Sequence, residues 1–149
     1  MQGEELKFYF CGSIRGGRQL ASTYQKIIEW LKNDHQVLTE HLGDDKKIET
    51  NDRILSDRQI HDRDMDWIRQ SDLIVAEVTI PSLGVGYEIG RAIEMNIPVL
   101  CLFDVSSDKD LSAMIAGSEG VDNHAYHDFG DLKDALKQFI AAHAPHRTS

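Results

Sequence analysis

Short apolar runs alternate with amphipathic helical patterns along this chain, and that alternation limits the folds it can adopt. The runs expected to form strands are residues 6–11, 37–39, 73–78 and 97–103. The patterns expected to form helices between them are residues 19–32, 52–70 and 82–95. Strands that alternate with helices form a parallel sheet covered on both sides. We therefore predict an α/β fold, a doubly wound parallel sheet of about five strands of the Rossmann-like or flavodoxin-like type.

The remainder of the chain carries weaker patterns. We expect a short helix at 111–115, an edge strand at 125–127 and a last amphipathic helix at 132–142. Residues 42–51 are polar without periodicity and are expected to form a loop, and residues 144–149 a flexible tail. The whole chain, residues 1–149, is predicted to be a single domain.

The charge balance argues against some partners. Sixteen basic residues face 25 acidic ones, for a net charge of −9, so we expect no binding to a nucleic-acid polymer or an anionic membrane surface. The net negative charge is compatible with a small phosphorylated ligand, because a few arginine, serine and backbone N–H groups can dominate the local electrostatics of a binding site. Cys11 and Cys101 are expected to be buried thiols in a reducing compartment. No apolar run approaches membrane-spanning length and no secretory signal opens the chain, so a cytoplasmic location, and also a nuclear one in a eukaryote, is expected.

Polar candidates follow three of the predicted strands. Ser13 and Arg15 follow the first strand, His41 the second, and residues 82–88 the third. In sheets of this kind the ligand lies outside the carboxyl ends of the strands. We therefore expect these residues to meet at one edge of the sheet.

The segment Ser82–Ala92 predicts a turn of small residues that leads from a strand into a helix. Such a junction leaves backbone N–H groups without intrahelical partners. Glu88 is placed in or near the first helical turn, where the helix dipole is expected to keep its carboxylate ionised. An ionised carboxylate among free amides suits attack on the anomeric carbon of a sugar.

Two glycine patterns in the chain have alternative interpretations. Gly84-x-Gly86-x-x-x-Gly90 misses the dinucleotide-binding spacing by one residue, follows the third strand instead of the first, and places Glu88 where a pyrophosphate would lie, so NAD binding is rejected. Residues 12–17 lack the lysine of a P-loop. They suit an anion cradle and an ordinary turn equally well.

Other candidate residues carry a weaker signal. Asp57, His61 and Asp64 recur at helical spacing. Ligands at such spacing on one helix are a weak signal for a metal site and no further partner is suggested, so no metal or cofactor is predicted. Tyr9 lies on the first strand and, by strand alternation, faces away from Phe10. Its simplest interpretation is a core residue.

Six motifs together resemble the 2′-deoxynucleoside 5′-monophosphate N-glycosidase family, which is related to the nucleoside 2-deoxyribosyltransferases. They are FYFCGSIRGG (8–17), LTEH (38–41), IHDRDMDW (60–67), VAEVT (75–79), PSLGVGYE (81–88) and LSAMI (111–115). The resemblance extends over residues 6–139. It implies cleavage of the N-glycosidic bond of deoxynucleotides by a retaining mechanism, giving a free base and 2-deoxyribose 5-phosphate.

The resemblance also implies roles for particular residues. Glu88 would be the nucleophile, Asp64 the general acid/base, and Tyr9 would orient Glu88 and crowd the 2′ position of the sugar. The implied substrate contacts are Ser13, Ile14, Arg15, Gly17, His41, Ser82, Gly84, Ser112 and Met114. Ser13, Arg15, Gly17 and Ser82 would hold the 5′-phosphate, and His41 would lie near the base or sugar. Ser112 would reach the phosphate of the neighbouring subunit, since family members are homodimers.

The chemistry of two carboxyl groups agrees with that assignment. A retaining double displacement needs two carboxyls roughly 5 Å apart. Glu88 is expected to stay ionised at the helix start, and its charge pushes a neighbouring carboxyl toward the protonated form, which gives a nucleophile and an acid. Three alternatives stay open: a deoxyribosyltransferase that passes the sugar to a second base, a hydrolase of ribonucleotides such as CMP, and a nucleotide-sensing module without turnover. No base preference is predicted, because the shape of the pocket includes the loop at 42–51.

Overall fold

Five strands and five helices follow one another in the structure, a computed structural model that describes residues 4–14, 20–43, 48 and 53–144. The strands are β1 (Lys7–Gly12), β2 (Gln36–Val37), β3 (Leu73–Glu77), β4 (Val99–Asp104) and β5 (Val121–Tyr126). The helices are α1 (Ala21–Lys32), α2 (Asp57–Gln70), α3 (Leu83–Glu94), α4 (Ala113–Ala116) and α5 (Phe129–His143), with a 3₁₀ turn at Glu40–Gly43. Most of the predicted loop at 42–51 and the tail after Ala144 lie outside the described residues.

The strands form one parallel sheet in the order β2-β1-β3-β4-β5. This order is the flavodoxin-like one, and it confirms the predicted α/β class. The chain runs outward in opposite directions from β1 and β3, so the loops after these two strands separate at their carboxyl ends. In the register of this pair Phe8 lies beside Leu73 and Gly12 beside Glu77. A ligand is therefore expected beyond Gly12 and Glu77.

Each face of the sheet buries its own hydrophobic core. Phe8 and Phe10 of β1 belong to the core that contains residues of α1 and α5. Tyr9 and Cys11 belong to the opposite core, with residues of α2 and α3. The predicted alternation of Tyr9 and Phe10 is confirmed. Strand alternation thus points Tyr9 and Cys11 toward the two helices that carry Asp64 and Glu88.

The largest differences between the predicted and observed helix starts occur at α2 and α5. α2 begins at Asp57 instead of 52, because Ser56 and Gln59 form a capping box: the Ser56 hydroxyl accepts from the Gln59 amide at 3.1 Å, and the Gln59 side chain accepts from the Ser56 amide at 2.8 Å. α5 begins at Phe129 instead of 132, because the Asp128 side chain accepts from the Asp131 amide at 2.7 Å.

Strands β5 and β2 also differ from the prediction. β5 begins at Val121 instead of 125, and its polar residues are accommodated because it is an edge strand paired only along β4 within the described residues. β2 ends at Val37, and Thr39 leaves the strand. Its hydroxyl accepts from the Phe10 amide and donates to the Phe10 carbonyl, both at 2.9 Å, in place of a backbone ladder.

Across the described ranges, none of the helices is both long and apolar enough to cross a membrane.

Candidate active site

A cleft of about 460 Å³ opens at the carboxyl ends of β1 and β3, the position that the sheet order predicts. The lining residues are Gly12, Ser13, Ile14, Pro81, Ser82, Leu83, Gly84, Val85 and Glu88. The structure thus brings together Ser13, Ile14, Ser82, Gly84 and Glu88 of the predicted site. Arg15 and Gly17 lie outside the described residues.

The start of α3 forms one wall of this cleft. Ser82 caps the helix, and its hydroxyl accepts from the Val85 amide at 3.3 Å. The first turn, from Leu83, carries backbone amides that a helix start leaves without intrahelical partners. A Cβ atom at Gly84 would meet no atom closer than the Ser82 hydroxyl at 3.9 Å, so the approach to this turn is open. Such a wall suits an anion.

The end of β1 forms the opposite wall. Gly12 leaves no room for a side chain, because a Cβ atom there would lie 2.8 Å from the ring of Tyr24. The next residue, Ser13, is buried. Close packing of Tyr24 under the strand end therefore sets the position of the loop that begins at Ser13.

Glu88 lies deeper in α3 than the sequence predicts. It is the sixth residue of the helix, in the second turn, where the effect of the helix dipole has faded. The pKa of Glu88 is raised on balance to about 7, mainly by burial and in part by the charge of the nearby Asp64. Hydrogen bonds from Tyr9 and Cys11 and the charge of Arg63 lower it. The prediction that the helix start keeps this carboxylate ionised is wrong in direction, because desolvation outweighs the dipole.

Tyr9 and Cys11 reach Glu88 from β1. Both side chains are about 1% exposed. Burial, followed by the charges of neighbouring groups that include Glu88, raises the pKa of the Tyr9 hydroxyl and of the Cys11 thiol. Both groups consequently keep their protons and can donate to the Glu88 carboxylate. Cys11 was predicted only to be a buried thiol, although its spacing of two from Tyr9 places both on one face of the strand.

Asp64 extends from α2 toward the same region. Its Oδ1 accepts from Nε and Nη2 of Arg63, each at 3.0 Å. The Arg63 guanidinium also lies 4.7 Å from the centre of the Trp67 ring. The charge of Asp64 is one of the influences that raise the pKa of Glu88. Arg63 was missed in the sequence, where only its position next to Asp64 marks it.

The residues that line this cleft do not include five of the predicted ones within the described ranges, Tyr9, Asp64, His41, Ser112 and Met114. His41 is buried in the 3₁₀ turn, with its ring centre 5.7 Å from that of Trp67. Ser112 and Met114 line a second cleft of about 450 Å³, which shares Pro81, Ser82, Leu83 and Val85 with the first.

The helix-spaced residues of α2 do not converge on a common point. The His61 ring is committed to other partners, with Nε2 2.8 Å from the Tyr87 hydroxyl and Nδ1 2.9 Å from Asp62. Asp64 pairs with Arg63. The periodicity of Asp57, His61 and Asp64 therefore reflects separate contacts along one helix.

Comparison with known proteins places the chain in a family. Residues 8–136 match the family described as nucleoside 2-deoxyribosyltransferase. A relative from Tetraodon nigroviridis, named 5-hydroxymethyl-dUMP N-hydrolase, is 49% identical over 139 residues, which cover 91% of this chain and 98% of the relative. A Rattus norvegicus protein of the same name is 42% identical over 144 residues, covering 95% of this chain and 88% of the relative.

A solved structure shares the fold. The CMP N-glycosidase from Clostridium botulinum matches with a TM-score of 0.60 and 18% identity, over 89% of this chain and 98% of that chain. At this identity the likeness concerns the fold alone. The resemblance drawn from the sequence motifs is confirmed by the family match and the curated relatives, and the chain belongs to the nucleoside 2-deoxyribosyltransferase family.

Proposed function

We propose that this protein hydrolyses the N-glycosidic bond of 2′-deoxynucleoside 5′-monophosphates, releasing the free base and 2-deoxyribose 5-phosphate. The observation that carries the proposal is the Glu88 carboxyl, which lines the cleft and accepts hydrogen bonds from Tyr9 and Cys11. The names of the two relatives, both N-hydrolases of a deoxynucleotide, support the same reaction.

The 5′-phosphate would lie between the two walls of the cleft. Ser13 on one side and Ser82 on the other offer hydroxyl groups, and the first turn of α3 offers backbone amides beside Gly84. The resemblance adds Arg15 and Gly17 to this phosphate site. A phosphate bound there places the sugar toward Glu88, which lines the same cleft.

The reaction would proceed in two displacements at C1′ of the sugar. The Glu88 carboxylate forms a bond to C1′ while the bond from C1′ to the base nitrogen breaks, and Asp64 donates a proton to the departing base. Asp64 then takes a proton from water, whose oxygen attacks C1′ and releases Glu88. Tyr9 and Cys11 hold the Glu88 carboxylate in both steps. Since the pKa of Glu88 is about 7, the ionised and the protonated forms of the nucleophile coexist in the free enzyme near neutral pH.

Tyr9 would favour deoxyribose over ribose. The Tyr9 hydroxyl is hydrogen-bonded to Glu88. The Tyr9 ring therefore lies beside the nucleophile, where a 2′-hydroxyl of the substrate would need room. The ribonucleotide alternative is disfavoured on this ground. The base preference is tested with a panel of deoxynucleotides. The panel includes the nucleotide of 5-hydroxymethyluracil, because the relatives are named for it.

Product analysis tests the proposed reaction directly. We expect incubation with 5-hydroxymethyl-dUMP and the common deoxynucleoside monophosphates to release free base and 2-deoxyribose 5-phosphate in equal amounts, with GMP cleaved at least ~100-fold more slowly than dGMP. The products are measured by chromatography, with and without a second free base. A new nucleotide as the main product would instead establish the transferase, and binding without any product would establish a sensing module.

We also propose that the enzyme is a homodimer whose subunits complete each other's sites. The second cleft is mostly apolar, and Leu83 and Met114 at its rim are 97% and 83% exposed. Apolar side chains this exposed, next to a cleft, are typical of a surface covered by a partner. Ser112 lies in this second cleft, which adjoins the phosphate cleft through Ser82. A second copy seated there could bring its own Ser112 to the neighbouring phosphate.

Subunit mixing tests this arrangement. Ser112→Ala should weaken catalysis by about tenfold through loss of one phosphate hydrogen bond, and Glu88→Gln should be nearly inactive. In a mixed dimer, one site combines Glu88 of the first variant with the intact Ser112 of the second. Mixing and re-equilibrating the two variants should therefore restore about a quarter of the wild-type activity. Light scattering that shows a monomer, or a mixture no more active than the sum of its parts, would contradict the shared site.

A further inference from the structure

A second carboxyl, that of Glu77, is buried beneath the cleft at the end of β3. Its side chain is 0% exposed. Oε1 accepts from the Thr79 amide at 2.7 Å, and Oε2 accepts from the Thr79 hydroxyl at 3.0 Å and from the Tyr126 hydroxyl. Burying a carboxyl is costly unless its oxygens are hydrogen-bonded, and here three donors converge on it. Two of the three belong to the segment that leads to the phosphate cleft.

Thr79 connects Glu77 to the neighbouring strand. Its hydroxyl donates to Glu77 and also accepts from the Asp104 amide at the end of β4, at 2.9 Å. Thr79 is buried and stands two residues before Pro81, where the cleft wall begins. The backbone that delivers Ser82 is thus tied to β3, β4 and, through Tyr126, to β5.

The same network lies beneath the opposite wall. Burial, followed by the charge of Glu77, raises the pKa of Tyr24 to about 12. The Tyr24 ring packs under Gly12. Gly12 lies beside Glu77 in the sheet register and directly precedes Ser13. Glu77 therefore contacts, directly or through one side chain, the segments that carry both Ser13 and Ser82.

The groups that face Glu77 come from four elements. Tyr126 approaches from β5, Tyr24 from α1, Asp104 from β4 and Thr79 from the loop. Burial raises the pKa of Glu77 and the charge of Asp104 raises it further, whereas the bonds from Tyr126 and Thr79 lower it. All three hydrogen bonds are donated to the carboxyl oxygens, which is the pattern that a carboxylate requires.

We propose that Glu77 is a positioning residue for phosphate recognition, which holds Thr79 and thereby sets the separation between Ser82 and Ser13 across the cleft. It acts through the loop and not by contact with the substrate. The inference rests on the proposed function, since it assumes that a 5′-phosphate spans these two walls. Loosening the network should therefore weaken recognition of the phosphate more than recognition of the rest of the nucleotide.

Substitutions at Thr79 test this without touching the substrate site. In a Glu88→Gln background, which prevents turnover, the dissociation constants of 5-hydroxymethyl-dUMP and of 5-hydroxymethyl-2′-deoxyuridine are measured by calorimetry. Thr79→Val keeps the shape of the side chain and removes the hydroxyl. It should raise the dissociation constant of the nucleotide about tenfold and that of the nucleoside less than about twofold. Thr79→Ser retains the hydroxyl and should restore the affinity for the nucleotide.

A substitution at Tyr126 tests the same hydrogen-bond network from β5. Tyr126→Phe keeps the ring and removes one hydrogen-bond donor to Glu77. It should raise the dissociation constant of the nucleotide about threefold more than that of the nucleoside. Equal losses for nucleotide and nucleoside, or a Thr79→Ser protein that binds as weakly as Thr79→Val, would reduce Glu77 to a structural role and overturn the inference alone. If the Glu88→Gln protein with Thr79 intact binds the nucleotide and the nucleoside with equal affinity, the cleft does not recognise the phosphate. The proposed function and the inference about Glu77 would then both fail.

Discussion

Replacing Glu88 with glutamine is expected to lower kcat at least ~100-fold while the affinity for 5-hydroxymethyl-dUMP is largely retained. Glutamine has nearly the same size and still lines the cleft, but its amide cannot form the bond to C1′ or be displaced from it. Steady-state kinetics give kcat, and calorimetry gives the dissociation constant. A loss confined to this side chain would identify it as the group that reacts.

The matched control lies on the same helix. Glu94 is an exposed residue at the end of α3, and Glu94→Gln makes the same chemical change away from the cleft. It should leave kcat within about twofold of the wild-type value. A Glu88→Gln enzyme that keeps more than about a tenth of the wild-type kcat would remove Glu88 from the nucleophile role.

The pH dependence of folding shows whether the Glu88→Gln protein is intact. The folded pKa of Glu88, about 7, lies above the ordinary value of 4.5. Its contribution to stability is therefore complete below about pH 4.5 and is lost as the pH rises through 7. The variant does not titrate, so its free energy of unfolding should exceed that of the wild type by up to about 3 kcal/mol above pH 7 and match it at low pH. Denaturant unfolding at several pH values measures the difference.

The sheet and the location of the cleft could be predicted because they depend on local patterns. Apolar runs and helical periodicity are readable within windows of a few residues, and the carboxyl ends of parallel strands share one edge. That rule was enough to bring Ser13, Ser82 and Glu88 together although they lie far apart in the chain. Some boundaries were missed despite a visible signal: Ser56 and Gln59 have the spacing of a capping box.

The electrostatics of the site could not be predicted in the same way. The direction of the Glu88 pKa depends on how deeply α3 is buried against β1 and α2, which is a property of the packed molecule. The bond between Glu77 and Tyr126 joins residues 49 positions apart, and nothing in the surrounding sequence of either residue marks the other. The roles of Asp64 and Tyr9 came from the resemblance and stay predictions.

The second large effect is expected at Asp64. Asp64→Asn should lower kcat for 5-hydroxymethyl-dUMP at least ~100-fold, since the variant can neither protonate the departing base nor deprotonate water. The matched control is Asp66→Asn on the same helix, where an exposed carboxylate bonds only to the Gln70 side chain among the contacts that the described residues show, at 2.8 Å. Steady-state kinetics of the two variants should differ by that factor, and an Asp64→Asn enzyme with near-normal kcat would contradict the assignment.

A nucleotide with a base that needs no proton to depart separates the two steps. With 7-methyl-dGMP, whose base is cationic and leaves readily, Glu88 of the Asp64→Asn enzyme can still displace the base, but water then lacks its general base. A glycosyl-enzyme intermediate should accumulate, and mass spectrometry of the quenched protein should find 2-deoxyribose 5-phosphate attached to Glu88. The Glu88→Gln enzyme should carry no such adduct. An adduct on any other residue, or rapid turnover of 7-methyl-dGMP without an intermediate, would overturn the double displacement, because the retaining route requires the sugar to rest on this carboxylate between the two steps.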